Sequence, residues 1–160
     1  MAKAYYIRLF KSIGLGLLFW SITFSNSGFA IQQMKQKDIL ILIKQARDAW
    51  IARDADALAQ LFTSDGEIIV PGQRWQGKAT IRQQVAHFAQ SYSDVEIEIR
   101  RIIVEGNQAV IEWHYQDTEK ATGLRNQADD AIVVDFKDGR ISRWREYFDN
   151  QTPASGIPPQ

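Results

Sequence analysis

At Asp94 the spacing of apolar residues changes, and this change limits the possible folds more than any other feature of the chain. Upstream, Ile39, Leu42, Ile43, Ala46, Ala49 and Trp50 recur at helical intervals of three and four. Downstream, Val95, Ile97, Ile99 and Ile103 alternate with Glu96, Glu98 and Arg100, the period of two that belongs to a strand with one wet face. A helical first half followed by an alternating second half predicts an α+β domain with helices laid on a sheet.

The breaks within each half are legible in the same way. Asp38 predicts the N-cap of a first helix that fails near Asp54, where Asp54-Ala55-Asp56 starts a second, shorter helix burying Leu58, Leu61 and Phe62. Asp65-Gly66 is expected to end that helix. Residues 67–70 read as a short strand stopped by Pro71-Gly72, residues 73–77 as a loop, and residues 78–91 as a third helix with Ile81, Val85 and Phe88 inside. Gly106-Asn107 predicts a turn that makes the strands on either side antiparallel neighbours. The second of these carries Ala109, Ile111, Trp113 and Tyr115 on its inner face. The polar run from Asp117 to Asp130 is expected to be a long hairpin loop, and Lys137-Asp138-Gly139-Arg140 a tight turn between the last two strands.

Composition narrows the classes of function. Lys3, Arg8 and Lys11 precede a nearly continuous apolar run, Ser12 to Phe24, and a small polar exit ending at Ala30. This pattern predicts an export signal over residues 1–30 and an exported, periplasmic or secreted protein. An uncleaved leader would be the one membrane contact. Residues 31–37 are expected to be a flexible lead-in, 38–149 one domain, and 150–160 a disordered tail rich in Pro and Gly. Without the leader's three basic residues the net charge is near −3, and no basic footprint for nucleic acid is present. The absence of cysteine removes disulfides, thiolate metal sites and a cysteine nucleophile. The spacing of His87 and His114 fits no metal motif, no phosphate loop or nucleophile elbow occurs, and no cofactor or metal is expected.

The order and spacing of four pieces resemble the SnoaL-like branch of the cone-shaped NTF2-like superfamily. They are Ala49 to Leu58, the run Leu61 to Gly66, the run Trp75 to Ile81, and Lys137 to Ile141 with Glu146-Tyr147-Phe148-Asp149. The resemblance covers nearly all of residues 38–149. It implies three helices packed on a strongly curved, mainly antiparallel sheet, with Trp75 over the mouth of the cone and a homodimer through the outer sheet face. It also implies an absence: the isomerase branch places its general-base aspartate where this chain has Val70, and its oxyanion-binding tyrosine near Ala46. Neither side chain can do that work.

On the last strand, Trp144, Glu146 and Phe148 share one face and Arg143, Arg145 and Tyr147 the other. The resemblance turns the Trp144 face inward, where a carboxylate between aromatics has a raised pKa. Glu146 is therefore the first candidate acid or base, with Asp65, after the second helix, the other. Trp50, Phe62, Trp75, Trp113, Phe136 and Trp144 are the expected ligand-binding wall. The function expected is binding of a small hydrophobic or aromatic molecule in the cone. An isomerase or lyase using Glu146 or Asp65 and a noncatalytic dimerisation module are the alternatives. Arg100-Arg101 and Arg143-x-Arg145 interleave with glutamates and predict ion pairing on the outer face.

Overall fold

The computed structural model describes residues 33–150. The expected leader, the first two residues of the lead-in and the tail beyond Asn150 lie outside the described residues. The chain runs α1 (Gln36–Ala52), α2 (Ala55–Gln60), β1 (Phe62–Val70), β2 (Gln73–Gln76), α3 (Lys78–Ser91), β3 (Tyr92–Glu105), β4 (Gln108–Glu119), β5 (Arg125–Lys137) and β6 (Arg140–Asn150). The change of period at Asp94 therefore falls two residues inside the first of four long strands.

The first helix begins earlier than its expected cap. Lys35 is the N-cap, and its carbonyl accepts from the N–H groups of Asp38 (2.9 Å) and Ile39 (3.2 Å). Asp38 sits in the first turn instead, where a carboxylate favours the positive end of the helix dipole. Ile39, Ile43, Ala46, Ala49 and Trp50 form its buried stripe. Arg53 ends it in the left-handed region (φ 55°), and Asp54 caps α2 by accepting from the Ala57 N–H at 2.9 Å. Gly77 (φ 81°) allows the sharp entry into α3, and its N–H donates to the Gly66 carbonyl at 2.8 Å.

Asp65-Gly66 does not end a helix. The strand already starts at Phe62, which lies beside Ile141 of β6, and the register slips between Phe62 and Glu67. That bulge leaves Ser64 and Asp65 exposed and buries Gly66. A Cβ on Gly66 would stand 3.1 Å from the Ile141 carbonyl oxygen and from the Phe62 Cβ, so the glycine serves close packing of the two strands. Residues 73–76, expected as loop, form the short strand β2 on the sheet's edge.

The six strands lie in the order β2-β1-β6-β5-β4-β3, with β1 and β6 parallel and every other pair antiparallel. The helices pack against one face of this curved sheet, α1 on β3 and α3 on β1. Ile39, Ile43, Ile81 and Val85 from the helices meet Ile68, Ile111, Ile132, Val134 and Trp144 from the sheet. Two bulges bend β3, between Ser93 and Glu96 and between Ile99 and Arg101. The second reverses the alternation, so that Ile102 and Val104 turn inward and Ile103, expected inside, is exposed. The turn at Asp138 (φ 51°) and Gly139 (φ 73°) has the two positive angles of a tight hairpin.

The polar run after Asp117 is mostly strand. β4 continues to Glu119 and β5 starts at Arg125, leaving residues 120–124 as the turn, closed by the Glu119 N–H on the Leu124 carbonyl (2.9 Å). Asp117 and Asp130 are buried within these strands. Polar side chains on the inner face of a strand imitate a loop in sequence, because alternation is read from apolar residues.

Candidate functional site

The sheet and helices enclose a cavity of about 440 Å³ at one end of the cone. Every element but α2 contributes to its wall. Trp50 from α1 and Phe88 from α3 meet edge to face at 5.7 Å between ring centroids, and Phe88 stacks on Tyr92 at 4.9 Å. Val70, Gln73 and Trp75 come from the β1–β2 hairpin, with the Trp75 indole donating to the Gln73 side chain at 3.0 Å. Trp113, Tyr115 and Asp117 come from β4, Asn126 and Asp130 from β5, and Glu146 and Phe148 from β6. Aromatic faces with a few convergent polar groups are the usual makeup of a small-molecule site.

Sheet register places the acids. Asp130 lies opposite Trp113 on one side and Phe148 on the other, while Glu146 lies opposite Ile132. Asp130 and Glu146 are therefore diagonal neighbours on the inner face. The Trp144 indole donates to Glu146 Oε1 at 2.7 Å, and the Trp113 indole donates to Asp130 Oδ2. Among the described residues, Asp130 Oδ1 and Trp50 Nε1 are buried without a hydrogen-bond partner. Asp117 is better satisfied: Tyr115 donates its hydroxyl to Oδ2 at 2.5 Å and Asn126 its amide to Oδ1 at 2.8 Å.

Burial shifts the titration of these groups. Glu146 is partly buried, between the cavity and a second hollow lined by Arg74 and Arg145. Removal from water pushes its pKa up to about 7, against the Trp144 hydrogen bond and with help from the charge on Asp130. Burial likewise pushes Asp130 up to about 6, opposed by the Trp113 N–H. Burial and then Asp117 push the Tyr115 phenol upward, so it remains a donor. Two adjacent carboxyl groups that titrate near neutrality can give and take a proton at physiological pH.

The expected wall divides in two. Trp50, Trp75, Trp113 and Glu146 line the cavity. Phe62, Phe136 and Trp144 are buried but do not line it. Phe62 and Phe136 both lie beside Ile141, near the β5–β6 turn. Facing inward on a cone is a different property from facing its open end. Trp144 packs on Trp113, with ring centroids 5.5 Å apart, and reaches the site through that ring and through its hydrogen bond to Glu146. Asp65 is exposed on the β1 bulge and absent from the cavity wall. The Thr63 hydroxyl and its own backbone N–H also hold its pKa low, the wrong direction for a general acid. Asp117 and Asp130 were missed by sequence reasoning. Continuing the alternations Trp113-Tyr115-Asp117 and Phe136-Val134-Ile132-Asp130 through the polar run would have found both.

Val70 lines the cavity while Ala46 is wholly buried in the core. The parallel register of β1 on β6, with Ile68 beside Trp144 and Ile69 beside Arg145, runs on toward Val70 and Glu146. The acid thus stands one strand over from the position the isomerase branch uses. His114 is on the outer face, its Nδ1 2.8 Å from Asp129, which also pairs with Arg100 at 2.9 Å. A more open hollow of about 610 Å³ lies there, lined by the charged Arg100, Glu112, Asp129 and Asp149 and by Tyr147. It also touches Trp113, Asp130 and Phe148, which the inner cavity shares.

Solved structures of the same architecture are numerous. A protein of ketosteroid isomerase-like fold from Catenulispora acidiphila, in complex with trimethylamine, is 21% identical, with a TM-score of 0.66 over 73% of this chain and 93% of that one. An LEH-like epoxide hydrolase from M. tuberculosis is 23% identical, with a TM-score of 0.63 over 71% and 84% of the two chains. A putative SnoaL-like polyketide cyclase from Jannaschia is 15% identical, with a TM-score of 0.64 over 74% and 91%. At these identities the likeness establishes the fold. No curated protein matches the sequence significantly. The family model of the SnoaL-like domain matches residues 43–144, from within α1 to Trp144 in β6, and the chain belongs to the SnoaL-like family.

Proposed function

We propose that the protein binds a small, largely apolar or aromatic molecule in the cavity between Trp50, Trp75 and Trp113. The observation that carries this reading is the aromatic-lined cavity of about 440 Å³, within the size range of small-molecule sites. Phe62, Phe136, Ile141 and Trp144 fill the core elsewhere, while Trp50 and Trp113 belong to that core and line this cavity as well. The trimethylamine held by the Catenulispora protein is a small organic molecule bound to a relative of the same fold. The test is a tryptophan-fluorescence titration with neutral probes such as indole, phenol and 2-phenylethanol. Saturable quenching that weakens at least tenfold in Trp75→Ala is expected, and the absence of saturable binding by any probe would defeat the reading.

A second reading adds chemistry to that binding: proton transfer on the bound molecule, as in an isomerase or lyase. The diagonal pair Asp130 and Glu146, titrating near pH 6 and 7, favours it. Full turnover by Glu146→Gln on any substrate the wild type converts would remove Glu146 as acid or base. The proposal keeps export by the leader and a homodimer through the outer face, where Ile103, Val110 and Tyr147 are exposed. N-terminal sequencing of the protein from its host and sedimentation equilibrium test these two points.

A further inference from the structure

Ion pairing on the outer face is incomplete beside the β1–β2 hairpin. Of the four arginines expected to pair there, Arg100 meets Asp129 at 2.9 Å, Arg101 meets Glu112 at 3.9 Å, and Arg143 lies between Glu67 (3.6 Å) and Asp135 (3.5 Å). Arg145 meets no carboxylate among the described residues. Its guanidinium lies over the Tyr147 ring instead, 5.0 Å from the centroid.

Sheet register brings a second arginine to it. Ile69 of β1 is paired with Arg74 on one side and with Arg145 on the other, so the three form a row across β2, β1 and β6 on the outer face. Two strand spacings set the arginine backbones about 10 Å apart, and both side chains line one hollow of about 490 Å³ with Ile69, Pro71 and Tyr147. Arg74 gives its Nε to Glu67 at 2.5 Å, and its terminal nitrogens have no partner among the described residues. With no acid in their row the two guanidinium groups repel each other, and an anion between them relieves that repulsion. Glu146 reaches the same hollow from the inner face. Burial raises its pKa to about 7, so at pH 6 it is mostly protonated and can donate to a carboxylate.

We propose that this hollow is a second binding site, independent of the aromatic cavity, and that it takes a small organic carboxylate. The carboxylate lies between Arg74 and Arg145, whose planar forks match its two oxygens. The apolar body rests on Ile69, Pro71 and Tyr147, and this floor favours an organic acid over a bare oxyanion such as phosphate. The hollow lies at the β2 end of the sheet, away from Ile103 on β3 and Val110 on β4.

The experiment is an amide NMR titration of the full chain at pH 6 with benzoate, benzyl alcohol and inorganic phosphate. Benzoate is expected to shift the backbone amides of Gly72, Arg74, Arg145 and Tyr147 saturably, binding about tenfold more tightly than either other probe. Arg145→Gln should weaken benzoate about tenfold and Arg74→Gln about threefold. Neither variant should change the response of the Trp50 and Trp113 indole N–H signals to benzyl alcohol. Benzoate that moves the indole signals alone binds in the cavity and overturns the hollow as a site. Phosphate binding as tightly as benzoate at the hollow's amides overturns the organic acid. No response of those amides to any probe also overturns the proposal, and the reading of the cavity then stands or falls on its own titration.

Discussion

The two ends of the cone are built from the same residue types and differ in what those residues do. At one end Phe62, Phe136, Ile141 and Trp144 are buried at 4% exposure or less and fill the space between strands. At the other, Trp50, Trp75 and Trp113 stand around a cavity with Asp130 and Glu146 on its floor. An inward-facing aromatic is therefore filling, wall or, like Trp113, both, and its depth along the cone decides which. Trp144 joins the two ends, since its ring belongs to the filled end and its N–H holds the acid of the open one.

Truncation should separate the ends most sharply. Trp144→Ala leaves a large buried void and is expected to cost about 3–5 kcal/mol of folding stability. Trp75→Ala, at the partly buried lip, should cost less stability than Trp144→Ala, about 1–2 kcal/mol, while weakening ligand binding. Urea unfolding of both variants measures this, and equal losses would erase the distinction.

The next effect belongs to the open end alone. The Glu146 pKa is raised on folding from 4.5 to about 7, so the folded state binds the proton more tightly than the unfolded chain. The associated stability is fully present below about pH 4.5 and is lost as pH rises through about 7, with a magnitude on the order of 3 kcal/mol. Asp130 acts in the same direction. Glu146→Gln should accordingly lose less stability than wild type between pH 5 and pH 8, and parallel urea curves at those two values provide the check.

Smaller effects set the scale outside both regions. Gly139→Ala places a side chain at φ 73° and should cost about 1 kcal/mol through backbone strain alone. Arg100→Ala removes an exposed pair with Asp129 and should change stability by about 1 kcal/mol or less. Neither should alter ligand affinity; an effect of Arg100→Ala on affinity would tie the outer face to the site.

How much of this was legible in sequence follows the same division. The helix-to-strand change, the Asp54 cap and the Asp138-Gly139 turn are local, and each appears where the residues put it. Alternation places Trp113 and Glu146 on inner faces, helical spacing does so for Trp50, and the family likeness sets Trp75 over the mouth of the cone; all four line the cavity. Phe62, Phe136 and Trp144 were assigned to the wall because alternation reports face and carries no information about depth. Asp117 and Asp130 were hidden because strand periodicity is recognised by apolar residues, and a site that needs acids interrupts it. Asp65 depended on a helix end that is in fact a β-bulge, set by the contact of Gly66 with Ile141 across the sheet. A pairing of residues so distant in sequence has no local signature.

The most direct measurement is a carbon-13 NMR titration of the side-chain carboxyl groups, with Asp130→Asn and Glu146→Gln used for assignment. Two carboxyls titrating near pH 6 and pH 7, with Glu146 falling when Asp130 is neutralised, are the predicted result. Both groups titrating below pH 5 would contradict the account, because the open end of the cone would then hold ordinary solvated acids and no poised pair.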